Sequence, residues 1–273
     1  MKRLCPLFLF LIFVGTISCT NSEIEFEENK VVDLTSESEA RKYLGDYADM
    51  FFTATNGSMY IRTTGFGNRM RNDQEIEQGE IFARYNKVLG QEVSDRGEFV
   101  FDDLKMVYNE ANGNYLPTEG SLSNEEKVEK IAPVFGKKST VKLIRDGKVE
   151  LAFEQYVPKK LVVEIPLAMA HSGSNSWSLP KSDFEIEWNK DGKNENGLLL
   201  YILWSEGSAV VKRVIRLEES GKAIIPKELF EGIPSSSAVE LFFIRGSVDI
   251  KYLSEESFKF YGVAQYQITM VVK

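Results

Sequence analysis

Leu198-Leu199-Leu200-Tyr201-Ile202-Leu203-Trp204 is an uninterrupted apolar run bounded by Gly197 on one side and Ser205-Glu206-Gly207 on the other. A buried helix needs a longer run, so a stretch this short between glycines reads as a central strand covered on both faces. Upstream, Phe184, Ile186 and Trp188 alternate with Asp183, Glu185 and Glu187, the in-out pattern of a strand with one solvated face. Downstream, Val210 to Leu217, Ala238 to Ile244 and Ala264 to Val272 supply further extended segments with turn residues between them. Strands at this spacing, with no second long helix, predict an immunoglobulin-like β-sandwich without its disulfide over residues 158–273.

Ahead of the sandwich, Tyr156-Val157-Pro158 marks a break and Leu161 to Ile165 starts a new strand. The break places a domain boundary near Pro158, and the length of 273 residues makes two domains the default. Thr140 to Arg145 and Val149 to Gln155 flank Asp146-Gly147, a pair that supplies the positive φ values of a type I′ hairpin turn. Residues 35–157 read as a mixed, mostly β domain with two short helices. The first begins with a capping box, Ser36 with Glu39, and carries Tyr43, Tyr47 and Met50/Phe51 at helical spacing through Phe52. The second starts at Ser123 with Glu126 three residues on. Met59 to Thr63, Ile81 to Tyr85 and Glu98 to Phe101 are the strands expected between them. The fold class is therefore mainly β, with the helices confined to the N-terminal half.

The first thirty residues set an address. Lys2 and Arg3, the apolar run Leu4 to Val14 and small residues before Cys19 have the layout of a secretory signal peptide. The run is too short to cross about 30 Å of hydrocarbon, which takes about 20 residues. A signal that ends in a small residue and a cysteine resembles that of bacterial lipoproteins, which implies that residues 1–18 are removed and Cys19 is acylated. Thr16 stands three residues before the cysteine, where leucine is commonest, and Pro6 interrupts the apolar core. The alternative is an ordinary signal cut near Ser18 that leaves Cys19 a free thiol. Glu23, Glu25, Glu27 and Glu28 resemble the export tag of Bacteroidota lipoproteins carried to the outer face of the outer membrane. By composition alone, residues 19–34 are an acidic, self-repelling flexible tether.

Composition excludes several chemistries. Loss of residues 1–18 takes Lys2 and Arg3 away and leaves 31 basic against 41 acidic residues, a net charge of −10. Such a charge argues against nucleic acid, whose phosphates call for a basic footprint. Cys5 and Cys19 are the only cysteines and both fall in the leader region, so the mature body has no disulfide, thiolate-bound metal or cysteine nucleophile. His171 is the only histidine, which excludes a multi-histidine metal site, and its Ser/Gly-rich surroundings read as a loop. No cofactor is indicated.

Four patterns imitate known sites. Glu187-x-Asn189-x-Asp191-Gly192 opens like a calcium loop, but Leu198 stands where the closing acid belongs. Gly136-Lys137-Lys138-Ser139-Thr140 ends like a phosphate loop, with Ile131 in place of its first glycine. Ser178-Leu179-Pro180-Lys181 fits the Ser-x-x-Lys pattern, yet Pro180 opposes the helix that the pattern requires. Asp183, Glu185 and Glu187 stand on one strand face, with roughly 6–7 Å between alternate residues, compatible with a glycosidase carboxylate pair. Solvated acids on an outer strand face are the plainer account.

The loop Trp188 to Gly197 (Trp-Asn-x-Asp-Gly-x-Asn-x-Asn-Gly) ahead of the apolar strand, Ile225-Pro226-x-x-Leu229-Phe230-x-x-Ile233-Pro234, and Phe243-Ile244-Arg245-Gly246 together resemble the C-terminal sandwich of a group of Bacteroidota surface lipoproteins. The group has no agreed biochemical role. The resemblance covers residues 158–273 and implies a lipid-anchored outer-membrane protein that faces the exterior. Surface lipoproteins of this group often serve polysaccharide uptake, which implies a non-catalytic glycan-capture module. Trp188 and Trp204 read as core, whereas Trp177 lies in a Ser/Gly-rich segment without apolar alternation and is the candidate ligand contact; the alternative for it is a tryptophan folded back as a lid over the sandwich edge. A structural or adhesive, pilus-type surface component that meets other surface proteins is the alternative function, and a glycoside hydrolase the third.

Overall fold

The computed structural model describes residues 31–32, 34–67, 76–86, 95–111, 113–117, 122–166, 177–207 and 209–272. Cys19, the leader and most of the tether lie outside the described residues, as does His171.

The chain is mainly β. The expected N-terminal helix forms as α1 (Glu37–Leu44), where the Ser36 hydroxyl accepts from the Glu39 amide at 3.3 Å. It does not continue unbroken to Phe52. Gly45 takes φ +57°, Gly45–Tyr47 tighten into a 3₁₀ turn, and α2 (Ala48–Phe52) follows. The break turns Tyr47 into the protein, where it is fully buried. α3 (Asn124–Ile131) has the full reciprocal capping box between Ser123 and Glu126.

Between α2 and α3 run β1 (Gly57–Gly67), β2 (Ile76–Tyr85), β3 (Glu98–Phe101), β4 (Leu104–Asn109) and β5 (Asn114–Pro117). The last two are strands that the sequence pattern does not announce. β6 (Lys137–Arg145) and β7 (Lys148–Val157) form the expected hairpin, with φ +50° at Asp146 and +72° at Gly147, as a type I′ turn requires. The sandwich strands are β8 (Val163–Glu164), β9 (Trp177–Leu179), β10 (Phe184–Trp188), β11 (Leu198–Glu206), β12 (Ala209–Leu217), β13 (Lys222–Ile225), β14 (Ala238–Leu253) and β15 (Glu256–Val272).

One sheet of three strands, β13-β10-β8, faces one of twelve, ordered β12-β11-β14-β15-β1-β2-β5-β4-β3-β6-β7, with β9 also on β15. The C-terminal part thus has the two packed sheets of an immunoglobulin-like sandwich. β11 is internal, one strand in from the edge between β12 and β14, and covered on both faces as its apolar run predicts. Its Leu198, Leu200, Ile202 and Trp204 enter the core between the two sheets with Phe184, Ile186 and Trp188. Leu199, on the opposite face, packs under Leu44, Tyr47 and Ala48.

β15 ties the molecule together. Along its whole length it pairs antiparallel with β14, and from Phe258 to Ile268 it pairs parallel with β1. Phe258 and Phe260 belong to a second core with Met59, Ile61, Phe99, Phe101 and Leu143, while Tyr266, Ile268 and Met270 belong to the sandwich core. Pro158 lies where the chain leaves β7, and the large sheet runs across that point. Beyond β1 the sheet curls until β7 returns to β14. There Ser247 Oγ donates to the Tyr156 carbonyl and Lys251 Nζ lies 5.3 Å from the Phe153 ring centroid. The interior of this curled, barrel-like part is filled by side chains. An apolar cavity of about 10 Å³ among Met59, Phe99, Val141, Leu151, Phe258 and Phe260 is too small for a ligand.

Candidate functional site

The loop that opens like a calcium site is a strut of a buried polar hub. Asp191 is fully buried, and its carboxylate accepts from the Tyr156 hydroxyl at 2.8 Å, the Lys159 amide at 2.8 Å and the Lys193 amide at 3.2 Å. Burial alone would raise its pKa, but these donors and Arg245 hold it below the usual carboxylate range. Asn189 donates to the Lys160 carbonyl and accepts from the Val162 amide. Asn194 donates to the Gly197 carbonyl and to Glu219. Arg245 is fully buried at the centre, bonded to Glu219 and to the carbonyls of Lys159, Lys160 and Asn189. Tyr47 completes the hub by donating to the Gly197 carbonyl and accepting from the Gly246 amide, each at 2.8 Å. The Asp191 carboxylate that the pattern would offer a cation is already bonded to protein donors. Among the described residues no group of three metal-ligating side chains gathers.

Trp177 occupies the opposite edge of the sandwich. The sequence pattern places it in an exposed loop; the structure instead makes it the first residue of β9, in register with Met270. β9 extends the track that β1 vacates at Gly67, and Trp177 Nε1 donates to the Gly67 carbonyl at 3.3 Å. The ring is half-buried against the sandwich core. A single indole therefore joins the ends of two strands that lie on the same side of β15.

The three acids considered for hydrolysis stand on the solvent face of β10. Asp183 accepts from the Lys227 amide at 3.0 Å, and Glu185 pairs with Lys222 at 3.5 Å. Behind them, Phe184, Ile186 and Trp188 are core. Burial raises the Glu240 carboxyl, but Leu203 and Thr269 are its cross-strand neighbours on β11 and β15, so no second acid stands beside it on the ladder.

Sequence reasoning missed a convergence at the mouth of the barrel. Arg96, just ahead of β3, places Nη2 2.9 Å from Glu256 of β15 and 2.9 Å from Glu150 of β7. Its guanidinium carbon lies 5.7 Å from the Tyr85 ring centroid, and the Tyr85 hydroxyl donates to Glu256 Oε1 at 2.6 Å. The Arg96 amide donates to the Tyr115 hydroxyl, which donates in turn to Asp95 at 3.2 Å. Burial works to raise Glu256, but Tyr85 and Arg96 overcome it and hold the carboxyl below its ordinary value. These residues carry no spacing pattern, because five separate segments supply them.

No protein-family model matches this chain, and no curated protein matches it.

Proposed function

We propose that this protein is a non-catalytic, lipid-anchored component of the outer membrane surface that captures a glycan. The observation that carries the reading is the setting of Trp177. Its strand and its bond to the Gly67 carbonyl fix the ring, while part of the ring stays open to solvent. A ring already held in place stacks on a ligand with little further ordering cost. The state of the carboxylates also favours capture over hydrolysis, which needs one protonated acid beside a second carboxylate. Asp191 and Glu256 are instead held as anions by their donors, and Glu240, whose carboxyl burial raises, has Leu203 and Thr269 as its ladder neighbours and no second acid there. The lipid on Cys19 and the outward orientation belong to the same proposal and rest on the leader sequence.

The test is a glycan-array screen of the full chain, purified in detergent, against Trp177→Ala. Saturable binding that the substitution abolishes supports capture through this edge. A folded wild-type chain that binds no glycan overturns it in favour of the adhesive reading. The last strand lends that alternative nothing, since Ala264 to Val272 is already paired within the chain.

A further inference from the structure

One face of the curled sheet lines the barrel-like core, where Met59, Ile61, Ile81, Ala83, Met106 and Tyr115 are buried. The alternate positions of the same strands look outward, where a one-sided sheet calls for polar side chains. One row breaks that rule. Val248 of β14 stands opposite Tyr261 of β15, Tyr261 opposite Tyr60 of β1, and Tyr60 opposite Phe82 of β2. The pairing of Ala83 with Tyr115 sets Phe82 beside Leu116 of β5, which faces Val107 of β4. Six apolar side chains thus cross six adjacent strands in a line, roughly 24 Å long at about 4.8 Å per strand. Val107 is 36% exposed and the others are half-buried, so the line meets solvent along its length. Its rings are held in place: the Tyr60 centroid lies 5.1 Å from that of Phe82 and 5.9 Å from that of Tyr261, and both tyrosines lean on the core beneath α1 and α2.

The rows on either side are polar. Arg62, Glu80 and Lys105 stand along one margin, and Ser58, Arg84, Asn114 and Asn109 along the other. Arg62 Nη2 lies 2.7 Å from Glu80, and Lys105 Nζ lies 2.6 Å from Glu98, so the margins carry a balance of one positive charge, from Arg84. A solvent-facing apolar row of this length marks an interaction surface, and its setting selects the occupant. β15, β1, β2, β5 and β4 each pair on both sides, so no strand edge is offered to an extended peptide. A bilayer is ill matched by a line one side chain wide between charged rows. A linear glycan has the matching form. Its sugar rings turn apolar C–H faces to the side chains of the row, and its hydroxyls reach margins where guanidinium and amide groups donate and carboxylate and amide oxygens accept. The near balance of charge suits an uncharged chain.

We propose that the outward row from Val248 to Val107 is a second binding surface, on which an uncharged linear polysaccharide lies across the strands with Tyr60 and Phe82 beneath its sugar rings. The proposal rests on the glycan reading above and is separate from Trp177, which packs with Tyr266, Ile268 and Met270 in the sandwich core and so on the other face of β15. Several sugar units engage at once, and affinity therefore grows with chain length until the row is filled.

The test is isothermal titration of the full chain in detergent with uncharged linear gluco-, xylo- and manno-oligosaccharides, from disaccharide to hexasaccharide. Wild type is compared with Phe82→Ala, Val107→Ser, Trp177→Ala and Ile224→Ser, the last an exposed apolar residue on β13 of the small sheet, each checked for folding by thermal unfolding. The expected result is affinity that rises with length in at least one series, a loss of roughly fivefold or more for the hexasaccharide in Phe82→Ala, the worth of one aromatic stacking contact, a smaller loss in Val107→Ser, and no change in Trp177→Ala or Ile224→Ser. Val107 is exposed, so its variant keeps the test valid if Phe82→Ala fails to fold. Binding that survives both row variants unchanged overturns the row while leaving capture at Trp177 standing. A folded wild type that binds none of the series overturns the row as well, and the array decides on Trp177 separately. So does a wild type that sediments as a dimer and falls to monomer in Phe82→Ala, which assigns the row to a second copy of the chain.

Discussion

Arg245 Nη2 lies 2.8 Å from Glu219 Oε1, with the arginine side chain at 0% and the glutamate at 9% exposure. This ion pair joins β14 to the turn after β12 and, through the carbonyls of Lys159, Lys160 and Asn189, to the chain that leaves β7.

Removing one partner leaves the other charge buried and unpaired. Glu219→Ala is expected to cost about 3–5 kcal/mol, and Glu219→Gln less, since the amide oxygen still accepts. Urea unfolding of each variant checks the order. Equal, small losses would show that solvent reaches the pair.

Gly197 and Gly147 both have φ +72°, yet a Cβ on Gly197 would sit 2.2 Å from the Leu217 carbonyl oxygen, whereas on Gly147 it meets nothing within 4 Å. Gly147→Ala should therefore cost only the left-handed backbone, about 1–2 kcal/mol. Gly197→Ala should cost clearly more, because backbone has to move as well. Thermal melts of the two single variants measure the difference.

Lys259 is buried on β15, where Nζ donates to the carbonyls of Asp49, at 2.8 Å, and Thr53 at the end of α2. Burial pushes its pKa down to about 8, against the opposing pull of Asp49. Between that value and the ordinary 10.5 the unfolded chain holds the proton and the folded one releases it, so this residue adds stability as pH rises through the window. Below pH 8 its burial is a standing cost. Wild type measured against Lys259→Met between pH 7 and 10.5 should show a stability difference that grows in favour of wild type. A flat difference would place Nζ in contact with bulk water.

Trp177→Phe keeps an apolar ring but loses the bond to Gly67. It is expected to lower stability by about 1 kcal/mol, and Trp177→Ala by about 2 kcal/mol, below the value for a fully buried aromatic. Both variants should remain folded at room temperature. A Trp177→Ala chain that unfolds would mean that β9 holds β15 in place, and a chain of unaltered stability would mean that the ring contributes nothing to the edge.

The elements legible in the sequence are those whose causes are local. The Asp146-Gly147 turn, the Ser123 capping box and the two-sided burial of Leu198 to Trp204 are each fixed by neighbours a few positions away. Gly45 shows where such reading stops. The spacing of Tyr43, Tyr47 and Met50 suits one helix, but Tyr47 bonds to Gly197 and Gly246 across the fold, and the helix bends to deliver it. Arg245 looks in sequence like any strand cation, since its partner Glu219 is 26 positions away. Trp177 looks exposed because its cover comes from Gly67 and β15. The barrel-mouth residues were illegible for the same reason: Tyr85, Arg96, Tyr115, Glu150 and Glu256 meet only once the sheet has curled.

The parallel ladder between β1 and β15 also imposes an order of events. Asn56 holds the amide of Ser257, 201 positions further along the chain, and Gly57 has Phe258 as its ladder partner. A ribosome or a translocon that delivers the chain from its N-terminus emits β1 to β7 long before the strand they close upon. Until then the row of amides and carbonyls on β1 that faces away from β2 has no mate, the circumstance in which nascent β-rich chains aggregate or recruit chaperones. The half that emerges first is thus obliged to finish last.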